Sequence, residues 1–194
     1  MQSVVDICNS ALAAVGSKAI VSLSDNTERA RLLQTIYDTD RLSLLRMHPW
    51  NFAIKQATLA VLDGVTPFEY TYAYELPADC LRVLRVYQNL CPYEIVGKAI
   101  YSNDTQMRIY YIADITDTAQ FDTVFIECLS MKIASDIAYS LTQNLTLTDA
   151  LAKEYEMRFR QAKQYDAQEG SPRQWDSGDW LTSRFYYRSG DPLI

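Results

Sequence analysis

The spacing of apolar residues changes at one stretch of the chain, residues 44–53, and changes back near Phe121. Before that stretch, apolar residues recur at helical spacing, first over residues 4–15 and then over residues 28–47. Pro49 ends the second run, because the residue before a proline is disfavoured in the helical region. Helix-capping residues mark both ends of the first run: Ser3, Asp6 and Gly16. The pattern therefore predicts two N-terminal helices.

After Pro49, apolar and polar residues alternate with a period of two, which is typical of half-buried β-strands. Glycine, proline, asparagine and aspartate separate these runs, so the pattern predicts short antiparallel strands joined by turns. The predicted strands cover residues 52–62, 70–75, 81–87, 93–96, 99–101 and 107–112.

Two features of these strands bear on function. Tyr70, Tyr72 and Tyr74 share one strand face, which suits either cross-strand aromatic packing or a stacking platform for bases or sugars. Cross-strand packing is the commoner arrangement and is the one we expect. Arg82 and Arg85 are three positions apart, and strict alternation places them on opposite faces of their strand. They are therefore not expected to form one anion clamp.

Helical spacing returns at Phe121 and continues to Leu141, with apolar residues over more than half of the helix circumference. A helix of this kind packs on several sides and is expected at the centre of the core. Thr146 and Asp149 open a further helix, which ends at Gly170. The sequence thus predicts an α+β fold: a helical bundle with an inserted antiparallel β element and an extended C-terminal tail. The predicted division is residues 1–170, with the β insertion over about 51–116, and residues 171–194.

The tail, residues 171–194, mixes glycine, proline, serine and balanced charges and shows no helical or strand period. Aromatic residues and arginine are enriched at the centres of protein interfaces, so the tail is predicted to dock on a partner. The alternative is that it folds back over its own chain. The predicted docking residues are Trp175, Trp180, Arg184, Phe185, Tyr186 and Tyr187.

Composition indicates a globular chain, since 48% of the 194 residues are hydrophobic and 22% are charged. The formal net charge of −6 argues against general attraction to nucleic acid, although it leaves room for a local basic surface. No apolar run reaches membrane-spanning length and no secretory signal is visible. We therefore expect no membrane partner and production in the cytoplasm.

The candidate chemistry is sparse. The four cysteines, Cys8, Cys80, Cys91 and Cys128, lie far apart, and His48 is the single histidine, so no metal site is predicted. No glycine-rich phosphate loop occurs, and we expect no cofactor and no catalytic residue.

Carboxylates are numerous but unspecific. Asp40 interrupts the apolar face of the second helix, and we interpret it as a partly exposed carboxylate paired with a neighbouring arginine. The pairs Asp38 with Asp40 and Asp114 with Asp117 are unremarkable in a chain with 24 acidic residues.

Four ordered motifs carry more information than the composition. They are N-S-A-L-A-A-V-G at residues 9–16, A-R at 30–31 leading to Y-D-T-D-R at 37–41, H-P-W-N-F-A at 48–53, and Y-A-Y-E-L-P-A-D-C-L-R-V-L-R-V at 72–86. Together they resemble the tail tubular protein A family of podoviruses, which are head-to-tail adaptors. The similarity runs from the N-terminus to about residue 165, and the tail agrees only in character.

The resemblance implies a structural protein of the virion, assembled in the bacterial cytoplasm, that forms a dodecameric ring between the portal protein and the tail nozzle protein. DNA would pass through the lumen without sequence-specific binding. Family adaptors combine a helical bundle with an embedded β domain, and their C-terminal segments reach into the portal, so the aromatic tail would bind portal protein. The junction formed by Pro49, Trp50 and Phe52 would fix the β domain relative to the ring.

Two other functions remain open at this point. Some tail proteins that resemble this family are suggested to hydrolyse glycans, which would require two carboxyls facing a cleft and acting on cell-wall or capsular polysaccharide. A nucleic-acid-binding module that uses the tyrosine strand is the third possibility, and it predicts salt-sensitive retention of DNA.

Overall fold

A computed structural model describes residues 2–64, 68–87 and 91–169 of the chain. Within these residues the protein has an α+β fold, as the hydrophobic pattern predicts. Along the chain, two helices precede the six strands and two helices follow them. The helices are α1 (Val4–Val15), α2 (Glu28–Met47), α3 (Thr123–Thr142) and α4 (Leu145–Glu169). None of the described helices is long and apolar enough to cross a membrane.

The strands form two separate antiparallel sheets between α2 and α3. They are β1 (Ile54–Thr58), β2 (Tyr72–Glu75), β3 (Cys80–Val86), β4 (Tyr93–Val96), β5 (Ala99–Ser102) and β6 (Arg108–Ala113). The first sheet has the order β1-β6-β3 and the second has the order β2-β5-β4. The first and last strands of the insertion are neighbours, with Ile54 opposite Ile112. The chain therefore enters and leaves the β region side by side.

The helix ends follow local chemistry. Ser3 and Asp6 form the predicted capping box, and Gly16 adopts the left-handed conformation with φ of 76° that ends α1. At α4 the prediction was wrong by two residues, because the side chain of Asn144 accepts from the backbone N–H of Leu147 and takes the capping role given to Thr146.

Helix α3 is the centre of the helical body and contacts α1, α2 and α4. Its buried side chains occupy more than one face, which explains why its apolar residues cover more than half of the circumference. They are Phe125, Cys128, Leu129, Ile133, Ala134, Ile137 and Ala138. The predicted central helix is confirmed.

The exit from α2 differs from the prediction. Alternation of apolar residues predicts a strand from Phe52, but residues Asn51–Ala53 form a single 3-10 turn and β1 begins at Ile54. Phe52 is directed into the helical body instead, where its ring lies 5.1 Å from that of Phe125. The apolar character of Phe52 therefore reports burial against a helix rather than a strand period.

The prediction that Arg82 and Arg85 face opposite sides is wrong. Arg82 pairs with Ile112 and Arg85 with Tyr110, and these two partners are on the same face of β6. A β-bulge between Val83 and Arg85 inserts one extra residue in β3 and reverses the alternation beyond it. Both arginines therefore lie on one face of the first sheet.

Candidate functional site

The junction between the helical body and the first sheet is built by the stretch that follows α2. His48 is extended, with φ of −136° and ψ of 142°, because Pro49 disfavours the helical region at the preceding residue. The backbone N–H of Trp50 donates to the carbonyl of His48 at 2.9 Å, and the indole N–H donates to the carbonyl of Leu44 at 3.0 Å. The turn folds the chain back against α2 and places the Trp50 ring in the core.

An aromatic cluster fastens this junction to two helices. Trp50 is fully buried and meets the edge of Phe125 of α3 at 5.1 Å between ring centroids. It also lies 6.2 Å from Phe159 of α4. Phe52 contacts Phe125 and Phe121, both at the α3 end of the cluster. Edge-to-face pairs of this kind add to the free energy gained from burial alone.

Asp166, near the end of α4, is clamped by the same junction. Its carboxylate accepts from the backbone N–H of Asn51 at 2.9 Å and lies 2.9 Å from Nε2 of His48. The side-chain amide of Asn51 donates to the Asp166 carbonyl at 2.6 Å. Asp166 is only 4% exposed, and the first two contacts satisfy its buried carboxylate while the third satisfies its backbone carbonyl. We call this set the Asp166 clamp.

The Asp166 clamp fixes the point from which the tail departs. The last described residue, Glu169, is three positions beyond Asp166 in the same helix. The predicted docking residues lie outside the described residues: Trp175, Trp180, Arg184, Phe185, Tyr186 and Tyr187. Their role stays a prediction, but contacts of His48, Trp50 and Asn51 hold the last described turns of α4, which precede them in the chain.

Sequence reasoning found the junction and missed Asp166. His48 occupies the C-cap of α2, but its ring bonds to a residue 118 positions away. No local pattern signals such a partner. An aspartate on the inner face of the amphipathic α4, between apolar positions, was the available signal.

A second buried polar contact joins α2 to the end of the first sheet. The Arg41 guanidinium donates to the carbonyl of Ile115 at 2.7 Å and to the carboxylate of Asp114, just beyond β6. It also lies 3.5 Å from the exposed carboxylate of Asp38. Arg41 is only 4% exposed, and a buried guanidinium requires partners of this kind. The pair fixes the exit of the β insertion against α2.

The interpretation of Asp40 was wrong in two respects. It is 3% exposed rather than partly exposed, and its partner is Lys132 of α3 at 3.2 Å rather than an arginine. Lys132 also binds Asp136 at 3.0 Å. Burial, together with the nearby charge of Asp136, raises the pKa of Asp40 to about 6. Asp40 therefore takes up a proton at a higher pH than an ordinary aspartate does.

The carboxylate pairs singled out in the sequence have structural partners. Asp38 and Asp114 share the Arg41 guanidinium, and Asp117 caps a 3-10 turn through the backbone N–H of Ala119, which lowers its pKa. A different pair, Glu127 and Glu154, lines one groove of about 270 Å³, but both are bound to Arg158 between them. Glycoside hydrolysis uses two carboxyls that face the substrate across a cleft, whereas these two carboxylates face Arg158.

The cysteines are free thiols, and Cys8 and Cys128 are buried. Burial raises the pKa of the Cys8 thiol to about 12 and that of Cys128 to about 11, which keeps both thiols protonated and unreactive. Among the described residues, no three histidine, cysteine or carboxylate side chains are grouped as a metal site requires.

The tyrosine strand packs inward. Tyr74 is 1% exposed, and its hydroxyl donates to the carbonyl of Asp104. Its ring lies 6.2 Å from that of Tyr72, on the same face of β2. Tyr74 is therefore unable to stack on a base, whereas Tyr70 and Tyr72 are half-buried. The aromatic contact of this strand joins Tyr72 and Tyr74 along β2 rather than across strands.

Exposed aromatic and basic residues occur instead on the first sheet. The Arg85 guanidinium lies 3.8 Å above the centroid of the Tyr110 ring, and that of Arg108 lies 5.4 Å from the centroid of Tyr87. Sequence reasoning missed this surface, because the bulge in β3 that aligns its residues has no clear sequence signature.

A comparison with known protein families and a search of curated proteins find no match to this sequence.

Proposed function

We propose that the protein is a structural head-to-tail adaptor of a podovirus, which docks on the portal protein and forms a ring that joins capsid to tail. The observation that carries the proposal is the ordered set of motifs at residues 9–16, 30–41, 48–53 and 72–86. Each motif is short, and their common order along one chain is what makes the resemblance specific.

The geometry around one motif supports the proposal. Residues 48–53 build the junction, and they also hold the last turns of α4 through the Asp166 clamp. A segment that must reach a partner in a defined direction needs a rigid origin, and a buried, fully bonded carboxylate supplies one. The motif thus lies where an adaptor with a docking tail requires precision.

Ring formation would use a heterologous interface, in which one surface of each copy meets a different surface of the next. Such an interface closes only when the rotation between copies is fixed, and the portal protein would act as the template for a dodecameric ring. The tail nozzle protein would bind the opposite side. The net charge of −6 is compatible with a channel wall that repels DNA overall and lets it pass.

Electron microscopy of the full chain mixed with the portal protein of the same phage tests the proposal. We expect closed rings seated on portal, and individual copies in the absence of portal. A variant with Trp175→Ala, Trp180→Ala and Tyr186→Ala should keep the fold and lose seating on portal. Absence of rings on portal with the unmodified chain would overturn the proposal.

The same preparation tests the glycan hydrolase alternative. Release of reducing ends from cell-wall or capsular polysaccharide would contradict an adaptor without catalytic residues. Asp114→Asn and Glu154→Gln are the informative variants, because these carboxylates share Arg41 and Arg158 with the nearest acidic neighbours.

A further inference from the structure

One face of the first sheet is basic and aromatic in an otherwise acidic protein. The registers of β1, β6 and β3 align three rows of side chains on this face, and the rows contain three arginines and no carboxylate. Beyond β3, Tyr87 continues the face, since its backbone N–H donates to the carbonyl of Arg108 at 2.8 Å. The residues are Ile54, Gln56, Thr58, Arg108, Tyr110, Ile112, Arg82, Arg85 and Tyr87.

Two cross-strand pairs of an arginine and a tyrosine lie at the exposed end of this face. Arg85 of β3 is opposite Tyr110 of β6, and Tyr87 is opposite Arg108, so arginine and tyrosine alternate along both strands. Each guanidinium lies over the ring of the opposite tyrosine, at 3.8 Å and 5.4 Å, and the two rings are 6.4 Å apart. We call these four residues the Arg–Tyr face.

Stacking on a ring prepares arginine to bind an anion. The ring holds one flat side of the guanidinium, while the N–H groups at its edge stay free to donate to an oxyanion. Arg85 and Arg108 are both exposed and form no ion pair within residues 2–64, 68–87 and 91–169. A groove of about 360 Å³ is lined by Arg108 and by Gln56, Thr58 and Tyr110 among others. These side chains add further donors.

The composition of the Arg–Tyr face favours a partner with repeated phosphate groups over a protein partner. A stable protein interface needs apolar anchors that become fully desolvated at its centre. Here the Tyr110 ring is covered by the Arg85 guanidinium, and Tyr87, which is 40% exposed, is the single apolar ring left accessible in the Arg–Tyr face. Charged groups on a polar, exposed sheet suit a partner that presents repeated anions and keeps its own hydration.

We propose that the Arg–Tyr face binds the phosphodiester backbone of DNA. This inference rests on the proposed function, which supplies the source of the DNA: it would be the phage genome in the lumen of the ring. Each copy contributes only a few contacts, so a single copy binds weakly, whereas a ring repeats the face around the duplex. Binding of this kind centres the DNA without reading its sequence.

The test is fluorescence anisotropy of a labelled 20-base-pair duplex with the full chain, at low salt and at physiological salt. The variant R85Q/R108Q should weaken binding about tenfold at low salt. It should also make the plot of log affinity against log salt concentration less steep, by the amount expected for the loss of about two phosphate contacts. The control K153Q/R160Q removes the same charge from exposed positions on α4 and should change affinity less than about twofold.

A third variant separates stacking from charge. Tyr110→Leu keeps every arginine but removes the ring under Arg85, so DNA affinity should fall while circular dichroism stays unchanged. Tyr110→Phe should restore it.

Three results would overturn the inference: no DNA binding by the unmodified chain at low salt, equal losses in the two double variants, or tighter binding of polyglutamate than of DNA. The last would indicate an acidic protein partner. Each outcome is distinguishable from failure of the proposed function, because rings on portal are scored in a separate experiment that contains no DNA.

Discussion

Trp50 and Asp40 are both buried, but they affect the stability of the fold in opposite directions. Trp50 fills the space between α3 and α4, and its indole N–H is satisfied by the carbonyl of Leu44. Asp40 brings a carboxylate into the same helical body, where Lys132 binds one oxygen and Oδ2 has no hydrogen-bond partner among the described residues. Burial therefore stabilises through the first residue and is costly at the second.

Trp50→Ala should lower the free energy of unfolding by about 3 to 5 kcal/mol, because it leaves a cavity among rigid aromatic rings. Chemical denaturation followed by circular dichroism measures the change. Tyr139→Ala is the matched control, since Tyr139 is an exposed aromatic residue on α3 and its loss should cost about 0.5 kcal/mol or less. Unchanged stability of the Trp50 variant would mean that the ring is a surface contact.

Asp40 should make stability depend on pH in a direction opposite to that of most carboxylates. Its pKa is about 6 in the folded protein against 3.8 as the ordinary value, so the native state binds the proton more tightly. The associated stability is complete below pH 4 and is lost as the pH rises through 6. Relative to the unmodified protein, Asp40→Asn should therefore gain up to about 3 kcal/mol between pH 4 and pH 7.

Urea denaturation at a series of pH values measures this difference. Asp63→Asn, at an exposed turn, should show no such trend. A difference between the Asp40 variant and the unmodified protein that stays constant from pH 4 to pH 7 would contradict the assigned shift.

The residue scale also limits what sequence can predict. That Trp50 is buried follows from its type and its place after a helix, and Asp40 could be recognised as an acid within an apolar stripe. Their partners could not, because Lys132 and Phe159 belong to helices that meet them only after the whole chain has folded. Contact identity is a property of tertiary packing.

At the scale of elements, the helix ends and strand positions follow from local chemistry, while the alignment of side chains across strands does not. The capping box at Ser3 and the left-handed Gly16 were predicted and are confirmed. The bulge before Arg85 was not predicted, since one extra residue in a strand leaves composition and periodicity almost unchanged. That bulge decides which residues form the Arg–Tyr face.

The end of α4 is the element whose stability depends most on a distant contact. Asp166→Ala removes the two carboxylate bonds of the Asp166 clamp and leaves the Asn51 N–H without a partner, which should cost about 1 to 3 kcal/mol. Amide hydrogen exchange should accelerate in the last two turns of α4.

Glu154→Ala is the control on the same helix. Its bond to Arg158 is half-exposed and joins residues of the same helix, so the loss should stay below about 1 kcal/mol and exchange near Asp166 should not change. Equal acceleration in both variants would show that the helix end frays irrespective of the clamp.

For the whole molecule, hydrophobic periodicity was sufficient to predict an α+β fold with strands inserted between helices, because each period spans many residues and errors average out. The division of the strands into two sheets was not predicted. It depends on which strands pair, and β1 pairs with β6 across the entire insertion. Pairings between distant segments leave no trace in local composition.

Removal of residues 171–194 separates a docking tail from one that folds over its own chain. A chain that ends at Gly170 should melt within about 2 °C of the full chain and should lose binding to portal. Differential scanning calorimetry and sedimentation with portal measure the two properties. A melting temperature lowered by about 5 °C or more would show that the tail stabilises its own domain.

The side-by-side entry and exit of the β region has a consequence for how the chain can change. Ile54 and Ile112 are direct neighbours, so the β insertion, which we call the cassette, leaves and rejoins the helical frame at two adjacent backbone points. Because β3 also contacts α2, changes in the turns and in the second sheet are the ones expected to leave the distance between α2 and α3 untouched. Evolution and protein engineering can therefore alter the cassette while the helical frame, the junction and the origin of the tail stay fixed.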